Sequence, residues 1–349
     1  MYRVAINGYG RIGQCLLRAL VTGPHAGHFQ IMAINELAEL ATISHLTRYD
    51  STHGRFPLPV SHSRDHHGRE HLIVGDQPIA VSHEADPTRL VWGGHDIDLL
   101  FECSGSFTDR LTALAYLRGG PRRILLSHPA GLDMDATIVF GVNQHLLRPQ
   151  HSVVSAASCT TNCLAPALLL LNQNFGVEQG LVTTIHSAMN DQPVLDSSRH
   201  SNPRLNRSAL YSIIPVDTSL AKGIGRILPE MNRRFQCLHL RVPTLNVSVM
   251  DLSVNLSRPA TVAAVNQLFR EAAAGPFQGL IAYSEEPRAS VDFNTDPHSL
   301  TIDATQTRIC GDKMLKLLLW FDNEWGFANR MLDVGLLWLR LAEEAGIQR

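Results

Sequence analysis

Two side chains in this 349-residue sequence have the types and surroundings for nucleophilic chemistry through sulfur. Cys159 lies in Ala157-Ser158-Cys159-Thr160-Thr161-Asn162-Cys163, where small residues give way to an apolar run of helical character. A thiol at a helix N-terminus meets unpaired N–H groups and the positive end of the macrodipole, so a lowered pKa is expected there. Cys163, one turn further in, points into apolar company and is expected to be inert. Taken alone, Cys159 reads better as one more buried thiol. His186 changes that weighting. It ends the strand-like run Val182-Thr183-Thr184-Ile185 and precedes the polar Ser187-Ala188-Met189-Asn190-Asp191-Gln192, a position from which an imidazole can act as a general base.

A second constellation binds rather than reacts. Gly8-Tyr9-Gly10-Arg11-Ile12-Gly13 follows a β-type run and opens an amphipathic helix. In that setting the first glycine permits the turn, the second lets backbone approach a pyrophosphate, and the third allows close helix–strand packing. The next β-type run, residues 31–34, ends in Asn35-Glu36, which places an acid about 20 residues on, where a ribose diol would donate to it. A carboxylate there repels a 2′-phosphate, so NAD is expected over NADP. A glycine-rich turn that binds nothing, with Glu36 a surface charge, is the bland alternative. His62, His66, His67 and His71 concentrate some of the 17 histidines, but they lack cysteine or carboxylate support at zinc-type spacing. They read as a solvated loop, and no metal is expected.

These residues need a scaffold, and the pattern supplies one. Apolar β-type runs alternate with helical patterns: a strand at 4–6, a helix near 12–21, a strand at 31–34 and a helix around 37–48. That rhythm is βαβ. Residues 55–84 read as peripheral antiparallel hairpin pieces at 71–74 and 79–82, after which parallel-type strands resume at 99–103, 123–127, 138–140 and 153–155. Beyond Cys159 the texture changes. A helix near 161–174 leads to long β-rich runs at 181–186, 237–242 and 246–255, as expected of a second, α+β domain. The polar stretch 191–211 is a long loop of the kind that lines a site or an interface, and residues 328–347 carry the spacing of an amphipathic helix.

Composition narrows the partners. With 44% hydrophobic and 18% charged residues the chain is globular, and a net charge of -2 gives no basic footprint for nucleic acid or an anionic membrane. The longest apolar stretch, 164–171, is far short of the roughly 20 residues a membrane helix needs. No leader-like segment precedes the first strand, so a cytoplasmic location is expected. Six scattered cysteines suit reduced thiols better than a disulfide framework.

Together with the glycine motif, Ser158 to Cys163, Arg241-Val242-Pro243-Thr244 and Asp322-Asn323-Glu324-Trp325-Gly326 resemble the glyceraldehyde-3-phosphate dehydrogenase superfamily over essentially the whole chain. The resemblance implies an α/β protein: a Rossmann-type NAD-binding domain, residues 1–155 completed by a C-terminal helical segment 322–349, and an α+β catalytic domain, 156–321, with a mostly antiparallel sheet. It implies Cys159 as nucleophile and His186 as base. It places Gly8, Gly10, Arg11, Ile12, Gly13 and Glu36 at NAD, with Asn323 on the nicotinamide carboxamide. Substrate contacts would come from Ser158, Thr160, Thr218, Ser219 and Arg241. Where many relatives carry an Arg-Arg pair, this chain reads Arg204-Leu205-Asn206-Arg207, and Arg204 is the expected phosphate contact with Arg207 as the alternative. The implied assembly is a homotetramer, and the implied partner a small aldehyde phosphate.

Within the superfamily the chain looks closer to the erythrose-4-phosphate dehydrogenases. The pointers are Ile34-Asn35-Glu36-Leu37-Ala38, the His186 to Gln192 segment, Asp292-Phe293-Asn294-Thr295-Asp296-Pro297-His298-Ser299 and Gly326-Phe327-Ala328-Asn329-Arg330-Met331. Typical glyceraldehyde-3-phosphate dehydrogenases have Asp at Glu36 and, at Met189, a threonine that helps hold the substrate phosphate; methionine cannot donate that hydrogen bond. The expected reaction is therefore oxidation of erythrose 4-phosphate to 4-phosphoerythronate through a Cys159 thioester opened by water, a step toward pyridoxal phosphate. The glycolytic, phosphorylating reaction is the alternative, and a nucleotide-binding regulator that lost the chemistry is a distant third.

Overall fold

The computed structural model describes residues 1–92 and 94–347, so the final two positions of the expected 322–349 segment lie outside the described residues. The chain divides into two compact units, residues 1–158 with 328–349, and residues 159–327.

The first unit contains β1 (Tyr2–Asn7), α1 (Arg11–Thr22), β2 (Phe29–Asn35), α2 (Leu40–Arg48), β3 (Tyr49–Asp50), β4 (Gly54–Arg55), β5 (Val60–Arg64), β6 (Glu70–Val74) and β7 (Gln77–Ser82). It continues with β8 (Leu99–Glu102), α3 (Arg110–Arg118), β9 (Ile124–Leu126), β10 (Ala136–Thr137) and β11 (Val153–Ser155). Nine strands form one sheet in the order β10-β11-β9-β8-β1-β2-β7-β6-β5. From β10 through β7 every pairing is parallel, and β6 and β5 close the edge antiparallel. Parallel strands covered on both faces must be apolar throughout. β8, β9 and β11 are accordingly buried at every position, and Leu100, Ile124 and Val153 share a core with Ala113 and Tyr116 of α3.

Three local expectations shift. The 55–84 segment does form a peripheral antiparallel hairpin, but its last strand, β7, joins the parallel sheet beside β2. The strand expected at 138–140 sits at Ala136–Thr137 instead; the Asn143 side chain accepts the Val139 N–H at 2.7 Å and turns the chain there. The helix expected from 37 starts at Leu40, because the Leu37 and Ala38 N–H groups donate to the Glu36 carboxylate.

The second unit begins with α4 (Cys159–Phe175) and β12 (Val177–His186), followed by β13 (Ile214–Val216), α5 (Leu220–Ile227), β14 (Phe235–Arg241), β15 (Ser248–Leu256) and α6 (Val262–Ala274). Then come β16 (Ile281–Ser284), β17 (Leu300–Asp303), β18 (Arg308–Cys310), β19 (Met314–Phe321) and the start of α7 (Trp325–Glu344), which runs on into the first unit's sequence. The strands order as β13-β14-β12-β15-β19-β17-β16, with β18 on β19. This sheet is mixed and mostly antiparallel; only β12–β14 and β16–β17 run parallel. β15 alternates buried and half-buried residues from Met250 on, as expected of a sheet with one covered face. Among the described residues, no helix is long and apolar enough to cross a membrane.

Candidate functional site

In the first unit the glycine motif occupies the turn from β1 into α1, and each glycine has its own physical reason. Gly8 holds a φ of +81°, and a Cβ there would lie 2.5 Å from the Ser104 nitrogen. A Cβ at Gly13 would lie 2.4 Å from the Gly8 carbonyl oxygen, so α1 packs against the turn only without one. Gly10 is the N-cap of α1, no side chain caps it, and no atom lies within 4 Å of where its Cβ would be. An uncapped helix start facing open space, with no acid in its first turn, is suited to an anion. Ile12 is half-buried in that turn. The Arg11 guanidinium is turned to Asp50 in a bidentate pair of 2.8 and 3.1 Å. Burial pushes the Asp50 carboxyl up, but Arg11 and the His53 and Thr52 N–H groups outweigh it and hold the carboxyl at about 2.

Glu36 closes the other side of the turn. One carboxylate oxygen accepts the Tyr9 N–H at 2.8 Å, and the other accepts Leu37 N–H at 2.8 Å and Ala38 N–H at 3.3 Å. The acid thus fixes the glycine loop to the end of β2, and it keeps lone pairs for a diol. Beneath lies a polar hub that sequence reasoning missed. Glu102 is fully buried and accepts from Asn7 Nδ2 at 2.5 Å and Ser104 N–H at 2.7 Å, while Asn35 Nδ2 donates to Asn7 Oδ1 at 2.8 Å. Burial raises the Glu102 carboxyl, against the lowering by its Ser104 and Asn7 hydrogen bonds. The hub locks the carboxyl ends of β1, β2 and β8, the edge where open α/β sheets take ligands.

In the second unit Cys159 is the first residue of α4, directly after the junction at which Ala157 adopts a left-handed φ of +62°. Its sulfur lies 3.9 Å from His186 Nε2. His186 ends β12, is 4% exposed, and donates from Nδ1 to the Ser187 carbonyl at 2.9 Å. That bond makes Nδ1 the protonated nitrogen and leaves the Nε2 lone pair toward the sulfur. Burial lowers the His186 pKa, and nearby Arg241 lowers it further, while the Ser187 carbonyl, Asp191 and Glu324 oppose the change.

The expected lowering of the Cys159 pKa is corrected. Burial pushes the thiol up to about 12, and Asp322 adds to this; the Thr160 and Cys159 N–H groups pull down without prevailing. Desolvation of the charged form outweighs the helix end. At rest the pair is a thiol facing a neutral imidazole, so ionisation of sulfur must be coupled to proton transfer onto Nε2. Cys163 is fully buried, and its thiol is raised well above the usual range by burial.

Asn323 is oriented by two hydroxyls. Its Oδ1 accepts from Ser187 Oγ at 3.1 Å and Ser248 Oγ at 2.9 Å, which directs its NH₂ away from both. Ser248 also accepts the Ser187 N–H at 3.2 Å. Just before it Val247 holds a φ of +65°, a strained conformation for a β-branched residue. Arg241 pairs in register with His186 across β12 and β14. It is 9% exposed, bonds Asp191 at 2.7 Å, and has a buried Nε with no hydrogen-bond partner among the described residues.

Thr160 is 8% exposed in the first turn of α4. α5 packs beside that turn, since a Cβ at Gly223 would lie 3.2 Å from Thr161 Oγ1. Thr218 accepts the Leu220 N–H at 3.2 Å just ahead of α5, and Ser219, its exposed N-cap, makes no side-chain cap bond. Ser158 is half-buried. The loop arginines stand apart from these contacts: Arg204 is exposed, and Arg207 pairs with Asp196 at 2.9 Å. Met189 is 45% exposed, its N–H held by Gln192 Oε1 at 2.9 Å.

Two family models match this chain. Residues 2–110 match the NAD binding domain of glyceraldehyde 3-phosphate dehydrogenase, and residues 158–323 match its C-terminal domain. The first match takes in the glycine turn and Glu36, so NAD is the cofactor, and the second takes in Cys159, His186, Arg241 and Asn323. With its two halves matched in order to the two domains of one family, the chain belongs to the glyceraldehyde-3-phosphate dehydrogenase family and is an NAD-dependent aldehyde-phosphate dehydrogenase.

Proposed function

We propose that the chain oxidises D-erythrose 4-phosphate to 4-phosphoerythronate through a thioester on Cys159 that water opens. The aldehyde chemistry rests on the 3.9 Å approach of Cys159 Sγ to His186 Nε2. As sulfur attacks the aldehyde carbon, the S–C bond forms, the thiol proton passes to Nε2, and the carbonyl oxygen becomes an alkoxide that the Cys159 N–H can hold. His186 returns its proton to that oxygen and removes it again as the carbon is oxidised. NAD, when bound, supplies the nicotinamide ring that takes up the hydride. Water then adds to the thioester carbon, releasing the acid and restoring the thiol. Asn323 would hold the carboxamide of NAD through its free NH₂, and the open start of α1 would hold its pyrophosphate. Arg241, with an unpartnered Nε, is the proposed anchor for the substrate's phosphate, supported by Thr160, Thr218, Ser219, Ser158 and Arg204.

The choice of erythrose 4-phosphate rests on Met189. Met189 is half-exposed, and at its position the family resemblance implies a hydroxyl that helps hold the phosphate of a three-carbon substrate, a hydrogen bond a thioether cannot donate. Steady-state NADH formation from both aldehydes, with and without inorganic phosphate, tests this. The expected result is a preference for erythrose 4-phosphate of about tenfold or more, the worth of one hydrogen bond to a charged group, with no requirement for phosphate. A strong preference for glyceraldehyde 3-phosphate with phosphate obligatory would leave the glycolytic reaction instead.

Glu36 carries the cofactor preference. Glu36→Ser is expected to lower kcat/KM for NAD by about tenfold, from loss of charged hydrogen bonds, and to narrow the preference over NADP. An unchanged NAD:NADP ratio would show that the carboxylate does not read the ribose.

A further inference from the structure

We propose that His239 is a positioning residue for His186: its ring forms a wall that fixes the plane of the base and keeps water off one face of it. The inference rests on the reading of His186 as the base.

The sheet places the two rings together. β12 and β14 run parallel with Thr184 opposite His239 and His186 opposite Arg241. Residues two apart on a strand share a face, so both histidines and Arg241 lie on one side of the sheet. The imidazoles are stacked, centroids 4.9 Å apart and planes inclined by 28°. Phe321 of β19 meets His186 edge-on at 6.4 Å. With Nδ1 bonded to the Ser187 carbonyl, His186 is thus held by one hydrogen bond in its plane, the stacked ring of His239 and the edge-on ring of Phe321. A ring free to rotate about χ2 would swing Nε2 off the sulfur 3.9 Å away, and small misplacements of a base cost rate steeply.

His239 acts as a neutral ring. Its Nε2 is buried without a hydrogen-bond partner among the described residues. Burial drives its pKa down to about 3, and His186 and Arg241 add to that. It therefore neither donates a proton nor adds charge to its neighbour near neutral pH. The charged and titratable groups around His186 are Cys159 from α4, Arg241 and His239 from β14, Asp191 from the loop after β12, and Glu324 just before α7. Of these His239 is the one that covers the ring's face. Removing it would hydrate His186, weaken the desolvation that lowers its pKa, and move the acid limb of activity upward.

The test compares His239→Ala and His239→Phe with the parent protein. Two pH profiles are followed, kcat/KM for the aldehyde phosphate and the rate of iodoacetamide alkylation of Cys159 located by mass spectrometry. His239→Ala is expected to lower kcat about tenfold with KM little changed and to raise the acid midpoint in both profiles. His239→Phe keeps the wall and should restore both profiles. If His239→Ala does not accumulate as folded protein, His239→Asn replaces it. Overlapping profiles for the parent and the ring-less variant would overturn the proposal. Equal loss in His239→Phe would overturn it too, by showing that a nitrogen is needed. A parent protein that oxidises no aldehyde phosphate would defeat the functional reading separately, since the alkylation profile needs no substrate.

Discussion

Cys159→Ala is expected to bind NAD about as tightly as the parent protein and to yield no NADH above background from any aldehyde phosphate. Without sulfur there is no hemithioacetal, and an aldehyde held beside NAD has no covalent route to an acid. Cys163 is fully buried and Cys103 half-buried, burial raises both thiols well above the usual range, and it pushes Cys237 to about 11. Loss of a covalent nucleophile costs at least about 10³-fold in kcat. Fluorescence titration with NAD and a coupled NADH assay would check both halves. A residual rate within about tenfold of the parent would sink the thioester mechanism, because contacts that only bind would then account for the catalysis. The raised thiol adds a condition: sulfur must lose its proton to His186 during attack, so the reaction should fade as His186 is protonated at low pH.

What could be read from the sequence was local in space as well as in the chain. The glycine turn, its following helix and Glu36 lie within one βαβ unit, and the spacing of small and apolar residues determines all three. Cys159 at a helix start and His186 at a strand end follow from where apolar runs begin and stop. The parallel sheet and a second, α+β domain were legible in the same way, whereas the mostly antiparallel order of the second sheet was implied only by the family resemblance. The supports of the site were not, because they join distant residues through sheet register. Ser187 reaches Asn323 across 136 positions and Ser248 across 61, and the His239–His186 stack exists only because β14 lies beside β12. Glu102 falls unmarked within the apolar run 99–103, and only the fold reveals that it accepts a hydrogen bond from Asn7. Helix α3 went unread, although Asp109 caps it by accepting the Thr112 N–H at 2.8 Å. The thiol's pKa was misjudged because a sequence displays a helix end but not the depth at which it is buried.

Asp322 is the position where a single substitution should cost most stability. It is 1% exposed and accepts at least four hydrogen bonds. Oδ1 takes the Glu324 and Trp325 N–H groups at 2.9 and 2.8 Å, satisfying donors at the start of α7. Oδ2 takes Asn246 Nδ2 and the Thr295 N–H, each at 2.8 Å. One carboxylate thereby ties the helix start to the segment before β15 and to Thr295, a β-branched residue held at a φ of +65°. Asp322→Ala would strand these donors in a region closed to water. Hydrogen bonds to a charged group contribute about 1.5–3 kcal/mol each, and because the four share one carboxylate the total falls short of their sum. A loss of about 3–5 kcal/mol is expected, the scale of breaking a buried charged contact. That corresponds to a fall in Tm of roughly 10 °C for a protein of this size, measurable by calorimetry. Asp322→Asn, which keeps one acceptor oxygen, should lose less. A shift below about 2 °C for the alanine variant would mean that the segments meeting at Asp322 are held by packing instead. The expected loss also reaches function. Asn323 follows directly, and its side chain is oriented by Ser248 of β15 and Ser187 of β12, so if Asn323 holds the carboxamide of NAD as proposed, the alanine variant should show a higher KM for NAD even at temperatures where it is fully folded.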